Sequence, residues 1–163
     1  MGKSFENNIW ILSELYYPEE SATGYYVTKV AEGLALRHRV RVLSAQPTYK
    51  ARGTRAPKDE LHNNVHIHRC AATTLDKDIV AFRLVNLLTI STSIFLNAIW
   101  RIRCGDVVLV VTNPPTLPFV VFLACKIRRA KLVLRIEDVY PEALVAAGFA
   151  GPWAKDDLPT CRS

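Results

Sequence analysis

Short apolar runs alternate along the chain with longer segments in which apolar residues recur at helical spacing. Four of the runs are rich in Val, Ile and Leu, and we expect each to form a strand buried inside a sheet. These runs are 9–12 (IWIL), 40–43 (VRVL), 107–111 (VVLVV) and 132–136 (LVLRI). A fifth run, 65–68 (VHIH), alternates apolar with polar side chains, which is typical of an edge or half-exposed strand.

Three segments have the apolar spacing of helices: 25–39, 78–103 and 115–129. Ser21 or Thr23 is placed to cap the first of them. Its predicted buried face consists of Tyr26, Val27, Val30 and Leu34. Residues 46–64 are polar and basic without a periodic apolar set, so they are predicted to form a long loop.

Strands that alternate with helices are typical of an α/β protein, and inner strands with continuous apolar runs are typical of a parallel sheet covered on both faces. We therefore predict a Rossmann-like, doubly wound α/β domain over residues 1–150, with a mostly parallel sheet and helices on both faces. Residues 151–163 lose all periodicity. We expect them to be a linker or a tail at which a longer protein is cut.

The composition narrows the class of protein but not its activity. The chain has 163 residues, about one domain, and 50% of them are hydrophobic, which excludes a disordered protein. The net charge of +6 favours anionic neighbours such as phosphorylated ligands or acidic membranes. The basic residues lack interleaved aromatics or a known module, so we expect no nucleic-acid partner. The N-terminus has no signal-peptide pattern, and we expect a cytoplasmic protein.

Cysteine and histidine residues give no metal-site pattern. The four cysteines have no close pair, so we expect reduced thiols. They are Cys70, Cys104, Cys125 and Cys161. His66 and His68 share one side of a predicted strand, where two histidines can bind a metal, but no third ligand is placed nearby. We interpret them as a solvated strand face and predict no metal site.

Candidate binding residues follow the ends of the predicted strands, where open parallel sheets bind their ligands. The strand-end loops are 13–24, 112–115 and 137–142. Tyr17, Asn113 and Glu142 are the candidate substrate-binding residues in these loops. Gly24 precedes or opens a helix, where a glycine lets a phosphate approach backbone N–H groups, although a simple turn or cap glycine has the same pattern. No dinucleotide or P-loop glycine fingerprint is present.

Two adjacent carboxylates, Glu137 and Asp138, interrupt the apolar run of the last predicted strand. A carboxylate can accept a hydrogen bond from a sugar hydroxyl or remove its proton, which makes both residues catalytic candidates. Asp138 has a structural alternative, because it can cap a helix that begins near Pro141. Glu137 has a weaker structural reason for its place, and a functional role is favoured for it if it points into the cleft.

Residues 84–100 carry no charge and are almost long enough to cross a bilayer. Their Asn, Ser and Thr residues favour a helix packed on the sheet, and a helix lying in the membrane interface is the alternative. If the helix lies in the membrane interface, four basic residues of the long loop could contact anionic headgroups. The alternative for these four residues is a solvated loop. They are Lys50, Arg52, Arg55 and Lys58.

The order of these segments resembles the N-terminal domain of GT4-type glycosyltransferases, especially bacterial enzymes of capsule, O-antigen and colanic-acid assembly. The resemblance runs from about Ile9 to Phe149 and depends most on residues 17–20 (YPEE) and 138–142 (DVYPE). It implies one half of a GT-B fold, in which two Rossmann-like domains face each other across a cleft.

What the resemblance implies about function is specific. The N-terminal domain of this family mainly holds the acceptor, and the glycine-containing loop after the first strand reaches the diphosphate of the nucleotide-sugar donor. Thr23 and Gly24 match that loop, where relatives often have two glycines. Relatives often have a His-Asp pair where this chain has Glu137 and Asp138. Members are usually retaining enzymes that need no metal or other cofactor.

We therefore predict the acceptor-binding domain of a nucleotide-sugar-dependent glycosyltransferase of cell-surface polysaccharide synthesis. The resemblance implies that it is inactive without a C-terminal donor domain. Its expected partners are the donor, a sugar or lipid-linked acceptor, and a peripheral contact on the inner face of the cell membrane. The alternative is a non-catalytic Rossmann-like module that associates through its exposed cleft face.

Overall fold

The computed structural model describes residues 8–19, 21–47, 56–71 and 80–136. Within these residues the chain forms six strands and three helices. In chain order they are β1 (Ile9–Leu12), α1 (Ala22–Ala35), β2 (Val40–Ala45), β3 (Asp59–His62), β4 (Val65–Cys70), α2 (Val80–Arg101), β5 (Val107–Val111), α3 (Leu117–Arg128) and β6 (Lys131–Arg135).

The strands form one sheet in the order β3-β4-β2-β1-β5-β6. Every neighbouring pair is parallel except β3 and β4, which are antiparallel. From β1 the chain proceeds to β2 and β4 on one side, and then crosses to β5 and β6 on the other. The structure thus confirms the Rossmann-like, mostly parallel α/β fold, with its switch point between β1 and β5.

Apolar side chains cover the sheet on both faces. On one face Ile11 and Val42 pack with Val27 and Ala31 of α1. On the other face a larger core is built from β1, β2 and β5 together with α2 and α3, and Ile94 lies in it. Successive residues of a strand point to opposite faces, which is why each inner strand needs apolar residues at nearly every position.

The buried face of α1 differs from the predicted one. Tyr26 is exposed, and the buried residues are Gly24, Val27, Thr28 and Ala31. The apolar spacing was correct for a helix, but the side of the helix that faces the sheet carries smaller residues than predicted. Ser21, rather than Thr23, caps the helix.

The predicted loop 46–64 contains a strand. Residues 59–62 form β3, and Asn63 and Asn64 turn the chain into β4 with φ angles of 47° and 64°. Asn tolerates this left-handed region, and a two-residue turn with both φ angles positive is typical of hairpins. As a consequence β4 is an inner strand, buried at five of its six positions, and the prediction of an edge strand was wrong.

The last described strand also differs from the prediction. β6 pairs with β5 alone among the described strands, and Val133, Leu134 and Ile136 are exposed. It was predicted to be fully buried because its sequence is a continuous apolar run. The helix prediction for 78–103 is confirmed over Val80–Arg101, with Ile90, Ile94 and Ala98 packed on the sheet.

A buried carboxylate joins the amino ends of β1 and β5. Asp106 accepts hydrogen bonds from the Asn8 N–H at 2.9 Å, the Trp10 indole N–H at 2.9 Å and the Arg103 N–H at 3.0 Å. Its side chain is almost wholly buried. Because several donors share the charge, this carboxylate is a structural element of the fold.

Candidate functional site

The carboxyl ends of the five parallel strands meet at one edge of the sheet. We call this edge the carboxyl rim and define it by residues 13–19 and 21–24, which follow β1, and by residues 112–116, which follow β5. Because β1 and β5 are neighbours at the switch point, these two loops lie on either side of the crevice where doubly wound sheets bind ligands.

Backbone hydrogen bonds extend the strand pairing into the rim. The Ser13 N–H donates to the Leu43 carbonyl, and the Ala45 N–H donates to Glu14, both at 3.1 Å. On the other side of the crevice, the Thr112 N–H donates to the Arg135 carbonyl at 3.2 Å. Each rim loop is therefore held in place by the end of a neighbouring strand, β2 for the loop after β1 and β6 for the loop after β5.

Gly24 lies inside the first turn of α1, and its N–H donates to the Ser21 hydroxyl at 3.1 Å. A Cβ atom at this position would lie 2.9 Å from Ser21 Oγ and 3.0 Å from the Glu19 carbonyl oxygen. Glycine is therefore required by the close approach of the preceding loop. The Gly24 N–H is engaged by the cap, so a phosphate at this helix end would compete with Ser21 for it.

Thr23 is half-buried beside Gly24 in the first turn of α1, which contains no acidic side chain. The positive end of the helix dipole is therefore not neutralised by a carboxylate within that turn. The arrangement suits an anionic group, and a threonine hydroxyl in this place can donate a hydrogen bond to it.

The Tyr17 ring is stacked on the His62 ring with a centroid separation of 3.8 Å and an interplanar angle of 12°. The Tyr17 N–H donates to Thr28 Oγ1 at 3.2 Å, and its carbonyl accepts from Arg69 at 3.1 Å. These contacts fix Tyr17 on the β3–β4 side of the rim and cover one face of its ring.

Asn113 is the second residue after β5 and is half-buried. Its side-chain amide makes no hydrogen bond to the described residues, and it lies at the loop that borders the crevice. An amide can both donate to and accept from a sugar hydroxyl. Asn113 is therefore the predicted substrate-binding residue whose position and free hydrogen-bonding groups fit that role.

A buried arginine supports the rim and was missed in the sequence. Arg69, at the end of β4, donates to the Pro57 carbonyl at 2.7 Å and to the Tyr17 carbonyl, and pairs with Glu60 at 2.7 Å. It is 1% exposed. A charged residue that follows an alternating apolar and polar pattern is expected to be exposed. The sequence therefore gave no signal that Arg69 is buried in this network.

The Tyr16 hydroxyl is buried behind the rim and has no hydrogen-bond partner among the described residues. Burial raises the pKa of Tyr16 well above its ordinary value, and the Glu32 carboxylate adds to the shift while Arg69 opposes it. The hydroxyl therefore stays protonated at physiological pH.

Three predicted site residues, Glu137, Asp138 and Glu142, lie outside the described residues. β6 runs parallel to β5, so the chain that precedes this segment reaches the carboxyl rim at Arg135 and Ile136. Of the four basic loop residues named for a membrane contact, only Lys58 is described, and it is exposed.

The described residues contain no group of three side chains suited to a metal ion. His66 is exposed, whereas His68 is buried and bonded to the Asp59 carboxylate, so the two do not form one solvated face. Cys70, Cys104 and Cys125 are free thiols. Burial raises the pKa of both Cys70 and Cys125 to about 11, which leaves them protonated and unreactive at neutral pH.

No protein-family model matches this chain, and no curated protein is significantly similar to it.

Proposed function

We propose that the chain is the acceptor-binding domain of a retaining, nucleotide-sugar-dependent glycosyltransferase of cell-surface polysaccharide synthesis. One observation carries the proposal: the switch point brings the α1 amino end and the Asn113 loop to the two sides of one crevice. The segment order that resembles GT4-type enzymes supports it further.

Each side of the crevice has a separate role in the proposal. The amino end of α1, with Thr23, attracts the diphosphate of the donor or of a lipid-linked acceptor through the helix dipole. Asn113 hydrogen-bonds the hydroxyl groups of the acceptor sugar. Glu137, Asp138 and Glu142, whose preceding strand ends at this rim, remain candidates to accept the acceptor proton and to position the sugar.

Calorimetric titration tests these roles, with a nucleotide sugar and a short-chain polyprenyl-diphosphate sugar as probes. We expect Asn113→Ala and Thr23→Val each to weaken binding of the probe they contact by about tenfold, the effect of losing one hydrogen bond to a charged or sugar group. Thr92→Ala, on an exposed part of α2, is the matched control and should bind normally. A chain that binds neither probe would contradict the proposal.

The acceptor is proposed to be lipid-linked because the outer surface of α2 and α3 suits a membrane. Exposed apolar side chains recur there at helical spacing, and Trp100 is 84% and Phe119 77% exposed. They are Val85, Leu88, Leu96 and Trp100 on α2 and Phe119, Phe122, Leu123 and Ile127 on α3. Such a surface is larger than the scattered apolar residues of an ordinary protein exterior.

Charge favours an anionic bilayer as the partner of this surface. Between residues 85 and 136 the only acidic residue is Asp106, and its carboxylate is buried. The basic residues of the same segment are Arg101, Arg103, Lys126, Arg128, Arg129, Lys131 and Arg135. Each cation near an anionic leaflet contributes about 1 kcal/mol of attraction. None of the described helices is long and apolar enough to cross a bilayer, so the contact would be peripheral.

Vesicle sedimentation tests the membrane contact. Vesicles with anionic phosphatidylglycerol should bind the chain and pure phosphatidylcholine vesicles should bind it weakly, while Phe119→Asp should abolish binding. Tyr25→Asp is the control, because Tyr25 is an exposed aromatic residue on α1, across the sheet. If the chain instead dimerises by light scattering and ignores vesicles, the alternative of a non-catalytic association module is favoured.

A further inference from the structure

A cavity lies on the α2 side of the sheet, away from the crevice at the carboxyl rim. It has a volume of about 360 Å³, within the usual range of small-molecule sites. We call it the Arg41 cavity. Its floor is formed by the amino-terminal part of β1 and β2 and by β3 and β4, and its wall includes Arg101 at the end of α2. It shares no residue with the rim.

The floor of the Arg41 cavity is one row of side chains across four strands. Trp10 is the register partner of Arg41, Arg41 is the partner of His66, and His66 is the partner of Leu61. Register partners in a sheet point to the same face and lie about 5 Å apart. The row therefore places one guanidinium group between an indole and an imidazole ring, both of which line the cavity.

Arg41 is the cation in this row without a counterion. Its guanidinium carbon lies 5.4 Å from the centroid of the Trp10 ring. Its Nε atom is buried without a hydrogen-bond partner, and the guanidinium forms no ion pair with the described residues. A buried donor left unpaired is unfavourable, so an acceptor supplied by a ligand would remove that penalty.

Two acids line the Arg41 cavity, and each is bonded to a residue other than Arg41. Asp59 is bonded to His68, and this hydrogen bond lowers the pKa of its carboxyl group. The Glu60 carboxylate pairs with Arg69 at 2.7 Å. Arg101 extends over His68, with its Nη2 atom 3.2 Å from both ring nitrogens. The cavity therefore presents two arginines at its surface and no acid that is bonded to Arg41.

We propose that the Arg41 cavity binds a small organic oxyanion, a phosphate ester or a carboxylate. Arg41 would donate to the anion from Nε and one terminal nitrogen, the paired geometry that a guanidinium offers to phosphate and carboxylate groups. Arg101 and His66, which also line the cavity, would donate further hydrogen bonds to the anion. The inference is independent of the sugar-transfer proposal, because the cavity and the crevice share no residue.

Calorimetric titration of the full chain with inorganic phosphate, pyrophosphate and citrate, at constant ionic strength with chloride as reference, tests this site. Phosphate and citrate distinguish the two classes of oxyanion. We expect at least one probe to bind, and Arg41→Gln and Arg101→Gln each to weaken it about tenfold. Arg37→Gln, which removes an exposed arginine outside the cavity, should bind as the parent does.

Two further measurements keep the test decisive. If Arg41→Gln does not fold, Arg101→Gln and the NMR shift of the Arg41 Nε–H in the parent chain report on the same site. Binding of a probe that leaves the Arg41 Nε–H signal in place would assign that probe to another part of the molecule, such as the carboxyl rim, and would overturn the proposal. Absence of binding to all three probes would overturn it as well, as would an equal loss caused by Arg37→Gln.

Discussion

At the amino ends of β1 and β5, the Asp106 carboxylate is buried and accepts hydrogen bonds from N–H groups of Asn8, Trp10 and Arg103. At the carboxyl ends of the same two strands, Asn113 and the Tyr16 hydroxyl have no partner among the described residues. The two ends show that residue type does not separate a structural polar group from a candidate binding group. Hydrogen bonding and exposure together do, because a satisfied group stabilises the fold, whereas an unsatisfied group that is partly exposed, such as the Asn113 amide, is available to a ligand.

Removing the satisfied carboxylate should have the largest effect. Asp106→Ala removes the acceptor of four hydrogen bonds, including that of the buried indole N–H of Trp10, and we expect the free energy of unfolding to fall by about 3–5 kcal/mol. Urea denaturation followed by circular dichroism measures it. Asp106→Asn keeps an acceptor and should lose less. A loss below about 1 kcal/mol for the alanine variant would show that this end of the sheet is not held by the carboxylate.

Arg69 forms the hydrogen-bonded network at the carboxyl end of the sheet through its two terminal nitrogens, and its removal should rank second. Arg69→Met leaves Glu60 and two carbonyl groups without their partner, which should lower the free energy of unfolding by about 2–3 kcal/mol. Hydrogen exchange of the Tyr17 amide should also become faster, because its loop loses the tether. Arg103→Met, an exposed control, should change neither quantity.

Two glycines of α1 differ in the space around them: Gly24 lies in the packed first turn at the carboxyl rim, and Gly33 lies on an open part of the helix. Gly24→Ala should destabilise by about 1–2 kcal/mol, because the new methyl group meets Ser21 and the Glu19 carbonyl oxygen. Gly33→Ala meets no atom within 4 Å and should stabilise by about 0.5–1 kcal/mol through higher helix propensity. Thermal unfolding of the two variants should therefore shift in opposite directions, and a shift in the same direction would contradict the packing at the rim.

The smallest effect is expected at Tyr16. Because its hydroxyl has no partner among the described residues, Tyr16→Phe should change the free energy of unfolding by less than about 0.5 kcal/mol at neutral pH. The folded-state pKa is raised, so the parent chain should lose more stability than the variant as the pH rises above about 10. Both chains share the loss that the buried thiols of Cys70 and Cys125 cause. Urea titrations at both pH values check this, and a marked loss at neutral pH would reveal a missing partner.

The sequence predicted the parts of the fold that depend on apolar periodicity. The inner strands β1, β2 and β5 and the helices α2 and α3 appear where the pattern placed them, because buried elements need regular apolar positions. β3 has the sequence DELH, which has little strand propensity, and it forms because β4 offers an edge and Asn63–Asn64 a turn. Tertiary pairing overrode local propensity there.

The candidate site was predictable only in its location. Parallel strands fix which loops share an edge, and so Thr23, Gly24 and Asn113 could be placed together from the sequence. Their hydrogen bonds could not, because the cap at Ser21 and the stacking of Tyr17 on His62 depend on distances between loops. The Arg41 cavity was hidden for the same reason, since its row of side chains exists only in the register of four strands.

We propose that the carboxyl rim is the end of the sheet that binds the substrates of sugar transfer. An NMR titration of the ¹⁵N-labelled chain with a nucleotide sugar and a short-chain polyprenyl-diphosphate sugar tests this. We expect the amide signals of Thr23 and Asn113 to shift with saturation while those of Asn8 and Arg103, at the amino end, stay in place. Shifts confined to the amino end, or no shift with either compound, would contradict it.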